Sequence, residues 1–171
     1  AGTGAVLASE TFAIHDDETA FTLNARCYEH GVRAFESVVA MLASGEVTTT
    51  AQPAGDRRQY LRAERPFLVL DPAADAAEQV RTARALDLGD RIANGVGVPR
   101  LMFGGTAYAV AVTLVATTET PGRILSADQS LRIAAAGGAL DITDIRALPT
   151  GERLQPADLL ARHGLTMGGQ W

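Results

Sequence analysis

Three histidines (His15, His30, His163) and one cysteine (Cys27) are the side chains best able to do chemistry near neutral pH. The histidines stand far apart, near the ends of helical patterns. None forms a spaced pair with a cysteine or an acid of the kind that holds a metal. They read as surface or capping residues. Cys27 falls within the apolar part of a helical pattern and reads as a small core hydrophobe rather than a nucleophile. Gly2-Thr3-Gly4 and Gly95-Val96-Gly97 look like phosphate loops, yet neither opens a helix or continues to a full phosphate-binding pattern. Asp16, Asp17 and Glu18 could hold a cation, but just before a helical pattern they suit its positive end. Arg57, Arg58, Arg62 and Arg65, with Tyr60 among them, form a local cationic cluster. Arg57, Arg58, Tyr60 and Arg62 could grip a phosphate or carboxylate. The competing reading is a solvated linker paired with Asp56 and Glu64. Residue chemistry alone yields no complete catalytic constellation and no metal site.

The elements that would carry these residues fall into two groups. Residues 5–14, AVLASETFAI, read as a strand. Phe21, Ala25, Tyr28, Val32, Phe35, Val39 and Leu42 then recur at spacings of four and three, which places them on one helix face. Leu23, Cys27, Ala34, Val38 and Met41 widen the stripe, so the helix is expected to be deeply buried. Thr19 or Asp17 is its N-cap and Gly45 its C-cap. One strand is too little cover for such a helix. Residues 46–66 read as a linker. Asp71-Pro72 predicts a second helix start, with Asp as cap and Pro at the first helical position, running to about Leu86. From Arg100 the period switches to two, with Gly104-Gly105 and Gly137-Gly138 as hairpin turns. About five short strands result, then a helix at 156–162, then a weakly determined tail, TMGGQW. The expected fold is an α/β remnant of one strand and a long helix (1–45), a linker (46–66) and a small antiparallel OB-like β-barrel domain (67–171).

The chain has 171 residues, 47% of them hydrophobic, and a formal charge of −5; every one of its 15 cations is arginine. That balance supports a packed core and lacks the basic field of a typical nucleic-acid binder. A single cysteine forms no internal disulfide, which fits a cytoplasmic setting. No apolar run reaches the length of a membrane span.

The stretch GTGAVLASETFAIHDDETAFTLNARCYEHGVRAFESVVAMLASGEV resembles the end of the catalytic domain of 10-formyltetrahydrofolate-dependent formyltransferases, of which the methionyl-tRNA enzymes are the best fit. TAQPAGDRRQYLRAERP resembles the linker that follows. QVRTARALDLG and PGRILSADQSLRIAAAGGALDITDIRALPTGERLQPADLLARHGL resemble the family's C-terminal OB-like domain. The resemblance implies an active site of Asn, His and Asp. The Asn and His belong to an upstream Rossmann-like core that this chain lacks. The Asp position falls on Gly2, and no acid occurs before Glu10. A glycine cannot assist proton transfer.

The resemblance implies that the parent polypeptide transfers a formyl group from 10-formyltetrahydrofolate to an acceptor amine, with catalytic residues outside this chain. The chain alone is expected to bind no cofactor. Its acidic balance favours a small amine, an amino sugar or a carrier-bound amino acid over tRNA. The expected partners are an upstream catalytic core, in the same polypeptide or on a second chain, and a carrier protein. The alternative is a non-catalytic structural or docking domain within a modular peptide or polyketide synthase.

Overall fold

The computed structural model describes residues 4–52, 61, 64, 67–89 and 97–171. The chain divides into two compact units, Ala1–Glu64 and Arg65–Trp171.

The first unit is built on one helix, α1 (Ala20–Ser44). Thr19 is its N-cap. Its side chain accepts from the Thr22 backbone N–H, and the Thr22 hydroxyl side chain reciprocates at the Thr19 N–H, closing a capping box. Gly45 ends the helix at φ 74°, the left-handed geometry that glycine adopts without a Cβ penalty. Two expectations fail here. The strand over 5–14 does not form: only Val6 pairs, through two 2.8 Å bonds with Thr50. A strand exists through its neighbours, and among the described residues this segment finds a single bridge. The deep burial of α1 is also absent, for none of its residues is buried.

The second unit is a five-stranded antiparallel sheet with order β1-β2-β5-β4-β3. The strands are β1 (Arg100–Phe103), β2 (Thr106–Val115), β3 (Ile124–Ala127), β4 (Leu131–Ala135) and β5 (Gly138–Ala147). Helix α2 (Ala76–Leu86) packs on β2 and β5, and α3 (Pro156–Arg162) lies against β3. Gly104 and Gly105, both at positive φ, make the two-residue turn between β1 and β2, as the sequence pattern predicts. At the second hairpin the turn is Ala136-Gly137. Gly138 already belongs to β5, where an added Cβ would lie 3.1 Å from both Leu114 Cδ1 and the Val115 carbonyl oxygen. A bulge interrupts the β2–β5 ladder, because Val110 faces both Asp144 and Ile145. Asp144 takes a left-handed φ of 49°, and its carboxylate accepts from Arg146 and Arg153. Those pairs tie the bulge to the segment that leads into α3.

Helix α2 starts at Ala76 with Asp75 as cap, not at Asp71-Pro72. Residues 71–74 form a turn stapled by Gln79, which is buried. Gln79 accepts from the Asp71 N–H at 2.8 Å and donates to the Asp71 and Ala74 carbonyls. A buried amide satisfied on both ends stabilises the turn where an unpaired one would cost about 1–3 kcal/mol.

The inner sheet face, with Leu101, Tyr108, Ile124, Ile133, Leu140 and Ile142 essentially inaccessible, meets α2 and α3 in one core. The tail completes it. Gly168 and Gly169 exchange backbone bonds with Ile124, and the Trp171 N–H donates to the Gly122 carbonyl, so the tail runs alongside β3. The Trp171 indole then donates to the Met102 carbonyl of β1 at 3.3 Å and packs against Phe103 at 5.3 Å. β1 and β3 are the two edges of the sheet. The last residue of the chain therefore bridges both, and the tail expected to be weakly determined is the seam of the curled sheet.

Trp171→Ala should lower stability by about 2 kcal/mol, below the ~3–5 kcal/mol of a fully buried tryptophan because the ring is only half-covered. Urea unfolding followed by circular dichroism measures this, and an unchanged midpoint would show the seam closes without the ring. A second expectation concerns Glu152, whose carboxyl is held below its ordinary 4.5 by the hydrogen bond and charge of Arg162. A carboxyl lowered in the folded state stabilises above its unfolded pKa and loses that contribution as pH falls through the folded value. Glu152→Gln should thus be less stable than the parent at pH 7, and the two should converge as pH drops below 4.5. A gap that stays constant with pH would assign the effect to packing.

Candidate functional site

The first unit places one charged and aromatic relay along one side of α1. His30 lies in the middle of the helix, not near its end as its sequence context suggests. Its Nδ1 donates to Glu10 Oε2 at 2.7 Å, and its ring stacks on Phe12 at 4.4 Å. The Arg26 guanidinium sits over the same ring, 4.7 Å from the Phe12 centroid, and pairs with Glu18. The Glu18 side chain is 8% exposed, and its Oε2 has no hydrogen-bond partner among the described residues. It is therefore a packed anchor and not part of a solvated helix start; Asp16 and Asp17 are the exposed acids. The relay clips residues 10–18 to α1. Spacing alone could not reveal it, since Glu10 and His30 are 20 residues apart.

The other side of α1 is open. Phe21, Tyr28, Val32, Phe35, Val39 and Leu42 are all exposed, Tyr28 by 72% and Phe35 by 67%. Cys27 is exposed too, which corrects the expectation of a core thiol. Asn24, Cys27, Tyr28, Gly31, Val32 and Phe35 line a groove of about 320 Å³ on this side. Monomeric proteins seldom present an apolar stripe of this length to water, and such stripes mark surfaces that another body covers. Covering this one would contribute on the order of 1 kcal/mol per large side chain, since each is already partly shielded.

In the second unit His163 closes α3. Its Nε2 accepts from the Tyr108 hydroxyl at 2.7 Å, and its ring packs against Phe103. Tyr108 is fully buried, and this bond, together with one from Arg162, satisfies its hydroxyl. Arg162 beside it is raised above its ordinary value, first by its hydrogen bond to Glu152. The Asp144 bulge borders a cavity of about 140 Å³ with Gln129, Thr143, Arg153 and Gln155 on its walls. Both arrangements join elements. Neither sets a free nucleophile beside a base.

Gly2, Arg57, Arg58, Tyr60 and Arg62, the positions singled out by sequence, lie outside the described residues. His15 is exposed. Among the described residues no three His, Cys, Asp or Glu side chains gather as a metal ion would require. No helix among them is long and apolar enough to cross a membrane.

No family model matches the chain. A methionyl-tRNA formyltransferase from Paraburkholderia xenovorans (strain LB400) is 29% identical over 171 residues, a span covering 97% of this chain and 50% of that protein. The chain thus spans about half the length of this curated relative. Among solved structures, a variant of HypX from Aquifex aeolicus superposes with a TM-score of 0.65 at 19% identity, covering 97% of this chain and 30% of HypX. HypX in complex with tetrahydrofolic acid superposes with a TM-score of 0.62 at 19% identity, covering 96% of this chain and 29% of HypX. The HypX likeness shows the fold. The sequence similarity runs through both units, and by it this chain is homologous to methionyl-tRNA formyltransferase.

Proposed function

We propose that this chain is the C-terminal portion of a polypeptide that moves a formyl group from 10-formyltetrahydrofolate to an acceptor amine. One observation carries the reading: the similarity to a formyltransferase extends over 97% of the chain. The tetrahydrofolate complex of HypX, which shares the fold, supports a folate donor for the parent. The folate would supply the activated formyl group. The Asn and His of the family's active site would come from an upstream Rossmann-like core, and this portion would close that core and shape the acceptor side.

The acceptor follows from charge. A chain with −5 net charge and no lysine favours a small amine, an amino sugar or a carrier-bound amino acid over a polyanionic tRNA. Arg57, Arg58 and Arg62, with Tyr60 between them, are the candidates for holding an anionic group on that acceptor. Gly2 favours a second reading. With glycine where the family places its Asp, proton removal from the attacking amine lacks its carboxylate, as expected of a non-catalytic docking domain in a modular peptide or polyketide synthase.

The deciding assay gives the polypeptide isolated from its source 10-formyltetrahydrofolate and a panel of amines. Turnover with a small or carrier-bound amine is the expected result, and no turnover with any acceptor would favour the docking reading. The 171-residue chain alone should bind no folate by calorimetry, and saturable binding would place folate contacts within it. In an active polypeptide, changing Arg57, Arg58 and Arg62 together to Ala should raise the acceptor KM about tenfold, roughly 1.4 kcal/mol, with kcat little changed. An unchanged KM would leave these arginines as linker charges.

A further inference from the structure

The bulge in β5 sets Asp144 at the wall of a cavity in the second unit. Asp144 alone among the described non-glycine residues has a positive φ, and a bulge of this kind re-aims a side chain. Both oxygens of its carboxylate accept from Arg146, at 3.1 and 2.6 Å. Arg153, whose backbone bridges to Arg146, brings a second guanidinium to 3.3 Å from the same carboxylate. Asp144 is already matched by Arg146, so the charge of Arg153 is additional. Among the described residues Arg153 makes no hydrogen bond, and its N–H donors stand open to solvent. The cavity beside this wall measures about 140 Å³. Its rim carries Gln129, Thr143 and Gln155, and among the described residues none of these side chains makes a hydrogen bond. Gln155 is the N-cap of α3, yet its side chain does not cap the helix. Ile145, Leu154 and Pro156 also line the cavity, and all three are buried, so its inner side is apolar.

We propose that this cavity is a binding site for a small carboxylate with a short aliphatic chain. Arg153 supplies the charge, and its planar guanidinium fork matches the planar carboxylate. The Gln129 and Gln155 amides and the Thr143 hydroxyl supply neutral donors around it. The apolar inner side takes the carbon chain, which a bare inorganic anion lacks. The size agrees, for a cavity of about 150 Å³ holds benzene, which has as many non-hydrogen atoms as butyrate. A cation fits less well, because Arg146 engages both oxygens of Asp144 and Arg153 would repel it. The ion pairs that hold the bulge account for Asp144 and Arg146. They do not account for three uncommitted polar side chains gathered with an under-used guanidinium over an apolar floor. The site lies wholly within the second unit, so it stands whether or not the parent polypeptide transfers a formyl group.

The experiment titrates sodium butyrate into the isotope-labelled 171-residue chain at constant ionic strength and follows backbone amide chemical shifts. The expected result is saturable movement of the Thr143, Ile145, Leu154 and Gln155 amides. Butyramide keeps the carbon chain and loses the charge, and it should bind at least about tenfold more weakly. Inorganic phosphate keeps the charge and loses the chain, and it should be weaker by a similar factor. Arg153→Gln should weaken butyrate at least about tenfold while shifts elsewhere in the second unit stay in place. Thr143→Val removes one neutral donor at nearly constant volume and should weaken butyrate about threefold. It carries the test if Arg153→Gln disturbs the fold. The absence of saturable shifts at these amides would overturn the inference. So would phosphate binding as tightly as butyrate, which would reduce the cavity to a patch of surface charge. Butyrate affinity unchanged in either variant that keeps its fold would overturn it as well.

Discussion

An amphipathic helix gains stability when its apolar side leaves water, and among the described residues of its unit none buries Tyr28, Val32 or Phe35 of α1. Its N-cap, capping box and left-handed glycine end fix where it starts and stops. Its polar relay, from Glu10 through His30, Phe12 and Arg26 to Glu18, fixes what lies along one side. Neither device covers Tyr28, Val32 or Phe35. The second unit contrasts at every point. There α2 covers β2 and β5, α3 meets β3, and the tail seals the remaining seam between β3 and β1 through Trp171. One unit carries its own cover, and the other presents a face.

How far this was legible in the sequence depends on the range of the interaction concerned. The end of α2 at Leu86, helix α3, the five strands and the Gly104-Gly105 turn follow from local period and turn chemistry, and they are where the pattern puts them. Asp71-Pro72 is a sound local start signal, and it fails because Gln79, buried eight residues on, holds residues 71–74 as a turn instead. The tail carries no periodicity at all. Its order comes from Trp171 meeting Met102, 69 residues away, a contact no local rule can anticipate.

The candidate site shows the same division more sharply. Periodicity correctly placed Phe21, Tyr28, Val32, Phe35, Val39 and Leu42 on one face, because that is a property of helix geometry. It could not say whether anything covers that face. Cys27 and α1 are exposed, against the pattern's expectation, because an amphipathic pattern marks an apolar face without saying whether anything covers it. The Glu10–His30 pair escaped notice for the opposite reason, since its members join by tertiary contact without a shared motif.

Proton transfer and helix packing make different physical demands on side chains. Proton removal from an attacking amine needs a base such as a carboxylate, and the resemblance to formyltransferases aligns the family's Asp with Gly2. Helix packing depends on an apolar face, and α1 presents one with Gly31 lining its groove. Exposed apolar side chains contribute nothing to a catalytic step by themselves, and leaving them in water invites aggregation. Their presence on a well-capped helix is physically reasonable only where a second body covers them.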